Sequence, residues 1–125
     1  MAGTNDIAEN QGAITLEEVA SNIEKMVEKS IENKINCALC SVPPATDFYW
    51  AKHITEVPKK VSKLNEKIKK ICEKYKIVYL DYHSSSLSTQ LDTLDPLYTS
   101  DGVHPNLDGY LVMEPILENL LKQLI

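Results

Sequence analysis

No stretch of this 125-residue chain is apolar over membrane-spanning length, which excludes a transmembrane helix as a reading of the sequence. The opening, Met1-Ala2-Gly3-Thr4-Asn5-Asp6, is not a basic segment followed by an apolar one, so it does not read as a secretory signal. Cysteine is scarce and odd in number, at 37, 40 and 72, which argues against a disulfide framework. Cys37 and Cys40 have C-x-x-C spacing, but they lie in an apolar, strand-like run whose alternation sends them to opposite faces. They read as small buried hydrophobes rather than a redox or zinc pair. Basic charge is not in excess: 18 acidic against 13 basic residues leave a net charge of −5, which gives no support for nucleic-acid or anionic-membrane binding. A glycine-rich phosphate loop and a Gly-x-Ser-x-Gly elbow are both missing. His53, His83, Asp101 and His104 show no ligand spacing, so neither a metal nor another cofactor is implied.

What remains is an ordinary globular composition, 43% hydrophobic and 25% charged, in a chain long enough for one domain. Thr15 and Glu18 form a capping-box pattern ahead of a helix reaching about Asn33, with Leu16, Val19, Ala20, Ile23, Met26 and Val27 on its apolar face. Ile35 to Val42 reads as a buried strand stopped by Pro43-Pro44. A loop with Phe48, Tyr49 and Trp50 leads to a second helix, about Glu56 to Tyr75, with Pro58 in its first turn. Its lysine face is interleaved with Glu56, Glu66 and Glu73 and reads as solvated. Ile77 to Leu80 is a second buried strand. A polar stretch over 82–100 follows, and then a last helix from about Asp108 to Leu124. Pro115 marks a kink in that helix or a late start to it, and its apolar positions include Leu111, Val112, Ile116, Leu117, Leu120 and Leu121. Strands alternating with crossover-length helices imply a parallel sheet with helices on both faces, and a functional edge at the strand C-termini.

Two candidate motifs fall on that edge. Asp101-Gly102-Val103-His104-Pro105 puts a carboxylate three residues from an imidazole, and Pro105 keeps His104 extended. An Asp that fixes the tautomer makes His a general base, although Asp, Gly and Pro also make ordinary surface turns. Asn106 or Asp108 can cap the helix behind it. At the other end, Asn5 follows Gly3 at an expected strand end. Its amide offers two donors for a developing oxyanion, or it serves an Asx-turn or helix cap.

Together, Gly3-Thr4-Asn5-Asp6 and Asp101-Gly102-Val103-His104-Pro105 resemble the third and fifth blocks of the SGNH hydrolase (GDSL esterase/lipase) superfamily. The resemblance extends over most of the chain, through the proline-terminated strand and Gly109-Tyr110. It implies a three-layer α/β/α, flavodoxin-like parallel sheet and hydrolysis of carboxylic esters of lipid or carbohydrate. It implies Asn5 as oxyanion donor, His104 as general base and Asp101 as its orienter. Gly3, Thr4 and Trp50 are the candidate substrate contacts.

The family's first block, Gly-Asp-Ser, carries the nucleophile, and its second carries an oxyanion-hole glycine; neither is found in the chain. Ser41 exits its strand into prolines, and Ser84 to Ser86 read as loop residues. The expectation is therefore that residues 1–125 form the C-terminal portion of a single SGNH domain, N-terminally truncated. Such a portion has two full strands, a stub at Ala2-Gly3 and an open sheet edge that invites self-association or a complementing N-terminal segment. Whether it is an enzyme by itself stays open against an inactive or purely binding flavodoxin-like module.

Overall fold

The computed structural model describes residues 1–124. After a single helical turn, α1 (Thr4–Ile7), the first long helix is α2 (Leu16–Glu32). It begins where the capping pattern places it: Thr15 Oγ1 accepts from the Glu18 N–H at 3.1 Å, and Glu18 Oε2 accepts from the Thr15 N–H at 2.8 Å. Val19, Ile23 and Val27 are its buried residues, while Met26, assigned to the same face, is half exposed. Helix α3 (Val57–Tyr75) buries Val57, Val61, Leu64, Ile68, Ile71 and Cys72. Its lysines face solvent or α2, as in Lys67–Glu17 at 3.1 Å and Lys74–Glu24 at 2.6 Å. Lys76 ends it in a left-handed conformation, and the chain turns straight into a strand.

Strands β1 (Ala38–Cys40) and β2 (Val78–Leu80) pair in parallel, with Leu39 opposite Tyr79. Both are shorter than the apolar runs suggest. Ile35 is 60% exposed, and beyond Ser41, whose N–H donates to the Leu80 carbonyl at 2.8 Å, the backbone leaves the ladder for other partners. Alternation divides the sheet between two cores. Cys37, Leu39, Ile77 and Tyr79 pack with α2 and α3. Ala38, Cys40 and Leu80 pack with Met113 and Leu120 of α4 (Leu107–Leu124). Helices thus cover both faces of a parallel sheet, a three-layer α/β/α arrangement, and the two C-x-x-C thiols point into different layers. Burial raises the thiol pKa of Cys40 and Cys72, keeping them in the neutral form.

Three expectations need correction. Residues 1–3 do not pair with β1, because Gly3, at φ 129°, turns the chain at once into α1. Pro115 lies inside α4, which runs through it without a late start. Leu111, Leu117 and Leu121 of α4 are exposed by 55%, 41% and 44%. The helix spends Met113 and Leu120 on the sheet and leaves the neighbouring flank of its apolar stripe to solvent. No helix among the described residues is long and apolar enough to cross a membrane.

Candidate active site

The site forms where chain segments converge at the C-terminal end of β1. Past Cys40, Ser41 is fully buried, and its Oγ accepts the N–H groups of Tyr82 and His83 at 2.9 and 2.8 Å. A hydroxyl so enclosed ties two strand exits together and cannot act as a nucleophile. Val42 pairs with a side chain instead of a strand: its N–H donates to Asn65 Oδ1 at 2.7 Å, and its carbonyl accepts from Asn65 Nδ2 at 2.9 Å. Asn65, buried on α3, therefore extends the ladder by one rung and aims Pro43-Pro44-Ala45 along the wall of a cavity of about 240 Å³. Thr4, Asn5, His104 and Tyr110 line the same cavity.

Gly3 sets the level of α1. A Cβ there would come within 2.7 Å of Leu64 Cδ2 and 2.8 Å of Val42 Cγ2, so only glycine lets the chain cross the core this closely. Asn5 on α1 is exposed, with Oδ1 accepting from Asn10 Nδ2 at 3.2 Å. Its own Nδ2 donates to no protein group among the described residues.

The His104 loop is closed at its base by the antiparallel bridge between Thr99 and Pro105 and anchored by buried Val103. Gly102, at φ 81°, packs against Thr46, whose N–H donates to the Gly102 carbonyl at 2.8 Å. Behind the loop, Asn106 caps α4 through Gly109 N–H at 2.9 Å. Inside it, Asp101 Oδ1 accepts the N–H groups of Val103 and His104, both at 2.8 Å, while Oδ2 lies 2.7 Å from His104 Nδ1. Thr99 was not singled out from sequence. Its hydroxyl sits 2.8 Å from the His104 carbonyl and accepts the Gly102 N–H at 3.0 Å.

Partial desolvation pushes the Asp101 carboxyl upward. Hydrogen bonds from the His104 backbone and ring and from Val103, with the imidazole charge, outweigh it and hold the group well below the usual carboxylate range. A carboxylate facing Nδ1 requires the ring proton there. The neutral imidazole then carries its free lone pair on Nε2, the arrangement of a general base.

Asn5, Asp101 and His104 are thus brought together, with Thr4 beside them. Gly3 and Trp50 do not line this cavity. Within the aromatic trio, Phe48 is fully buried packing, Tyr49 is exposed, and the Trp50 ring stands 6.2 Å from that of His104. No serine among the described residues lines the cavity.

A carboxylate-braced imidazole and a side-chain amide at the C-terminal edge of a parallel sheet, within α/β/α layers, form an arrangement that can serve acyl transfer. The GDSL-like Lipase/Acylhydrolase family matches residues 1–112, and the chain belongs to it. Among solved structures it is similar to a GDSL-like lipase from Bacteroides thetaiotaomicron, with 37% identity and a TM-score of 0.93 over 99% of this chain and 60% of that one. A protein from Bacteroides fragilis, named as an acylhydrolase, matches at 40% identity and a TM-score of 0.92, over 98% of this chain and 59% of that one. A structure from Streptococcus pneumoniae, at 21% identity and a TM-score of 0.82, covers 97% of this chain and 57% of that one, and speaks for the fold alone. The chain thus spans about 60% of the length of the solved structures it matches. No curated protein matches it.

Proposed function

We propose that this chain carries the general base, its orienter and one oxyanion donor of a serine-dependent hydrolase of carboxylic esters, acyl or acetyl esters of lipid or carbohydrate. The observation that carries the reading is the 2.7 Å contact between Asp101 Oδ2 and His104 Nδ1 on the wall of a cavity that Asn5 also lines. In the reaction, His104 Nε2 takes the proton of an attacking serine hydroxyl. Asp101 stabilises the imidazolium, and the Asn5 amide donates to the oxyanion of the tetrahedral intermediate. The proton then passes from His104 to the leaving alcohol, and water, activated by the same base, releases the acid. Thr4 is a substrate contact on the cavity wall, and Gly3 and Trp50 lie outside that wall.

The serine comes from a complementing segment, because no serine among the described residues lines the cavity. That same observation favours a second reading, a non-catalytic member of the family that binds without turnover. Hydrolysis of p-nitrophenyl acetate by the chain mixed with a segment that supplies the serine, and by the same mixture with His104→Ala, separates the two. Turnover that the substitution abolishes supports the hydrolase. The same slow background from both mixtures favours the binding module.

A further inference from the structure

Three side chains form a directed relay beside this site. Trp50 Nε1 donates to Asn10 Oδ1 at 2.9 Å, and Asn10 Nδ2 donates to Asn5 Oδ1 at 3.2 Å. The direction is fixed by chemistry at its start, since an indole nitrogen can only donate. The Asn10 oxygen must therefore face Trp50, its NH₂ must face Asn5, and the Asn5 oxygen must turn toward Asn10. Only the Asn5 NH₂ is left to face outward, and Asn5 lines the cavity with His104. The backbone supports the same geometry. Glu9 adopts φ 56°, an uncommon conformation for a residue with a side chain, and folds the chain back so that the Asn10 N–H donates to the Asn5 carbonyl at 3.1 Å. The loop carrying Trp50 reaches this segment a second time through His53 Nε2 and Glu9 Oε2 at 3.3 Å.

We infer that Asn10 is a positioning residue, fixed by the Trp50 indole, that holds the Asn5 side-chain amide with its donors toward the cavity; the catalytic meaning of that orientation rests on the hydrolase reading above. An unrestrained Asn5 would present oxygen or nitrogen to the cavity with little preference, and its oxygen would repel a developing oxyanion. The Trp50 ring also stands 6.2 Å from that of His104, so one side chain neighbours the base and, through Asn10, bears on Asn5. This gives Trp50 a role without substrate contact.

The test reads orientation rather than turnover. In the ¹⁵N-labelled chain, the Asn5 side-chain amide is compared between wild type, Asn10→Asp and Trp50→Phe by NMR. Asn10→Asp keeps size and still accepts from Trp50, but it can no longer donate to Asn5. The Asn5 amide is expected to flip and donate to the new carboxylate. Its proton resonances then move downfield, exchange with water slows about tenfold or more, and both changes reverse as the carboxylate is protonated near pH 4. Trp50→Phe removes the fixed donor, and the Asn5 and Asn10 amide signals are expected to average. If Asn5 resonances and exchange are unchanged in a folded Asn10→Asp chain, or Trp50→Phe leaves both amides as in wild type, the relay is wrong. A chain that shows the amide flip but gives no His104-dependent ester turnover when mixed with a serine-supplying segment instead counts against the hydrolase reading and leaves the relay standing.

Discussion

Asp101 illustrates how one carboxylate serves both fold and site. It organises its loop through two backbone N–H groups and simultaneously fixes the His104 ring. Its folded pKa lies below the unfolded value of about 3.9. The stabilisation it gives is therefore complete above that pH and is lost as acid carries the pH down through the folded value. Urea midpoints at pH 7 and pH 3 check this: wild type is expected to lose more stability between the two than Asp101→Asn. At Trp50, the chain's single tryptophan, the imidazole 6.2 Å away offers a second readout. Tryptophan emission is expected to shift in His104→Ala, which removes the ring beside Trp50. The pairing of Asp101 with His104 was legible because three-residue spacing in a glycine-containing, proline-terminated turn constrains both groups locally. Thr99 and Asn10 were not legible. Each acts through a partner reached by a turn or by a loop 40 residues away, and nothing in their own neighbourhoods marks them.

At the scale of elements, helix signals and the parallel α/β order held, and strand lengths did not. The capping box, the first-turn proline of α3 and the apolar periodicity are short-range patterns, and they reproduce α2 and α3 to within a residue or two. Strand lengths misled because an apolar run records burial, whereas a ladder needs a neighbour. At Val42 that neighbour is the side chain of Asn65, an Asn on a helix that no periodicity rule distinguishes. Asn65→Leu preserves volume but leaves a buried N–H and carbonyl unsatisfied, with an expected loss of about 2–4 kcal/mol. Thr15→Ala removes only an exposed cap and is expected to cost about 1 kcal/mol. Urea denaturation of the two variants therefore ranks an inner tie well above an outer one.

Across the whole molecule, the described sheet has two strands, and an apolar cavity of about 270 Å³ runs beside β1 between Ile23, Val27 and Ile68. On the other layer, α4 presents Leu107, Tyr110, Leu111, Leu117 and Leu121 to solvent. An unpaired strand edge in the sheet and an apolar flank on α4 both favour association. The melting temperature of the isolated chain is expected to rise with protein concentration, as it does when association stabilises the folded form. A cooperative, concentration-independent transition of a monomer at high temperature would count against this.

The central claim is that His104, oriented by Asp101 and faced by Asn5, is the base of an ester hydrolase whose serine is supplied by another segment. The most direct measurement mixes this chain with the part of the Bacteroides thetaiotaomicron GDSL-like lipase that it does not cover, and follows p-nitrophenyl acetate hydrolysis. Neither piece alone is expected to turn over the ester. The mixture is expected to do so, with Asn5→Ala about 10²–10³-fold slower and His104→Ala reduced to background. Turnover that His104→Ala leaves unchanged would contradict the account.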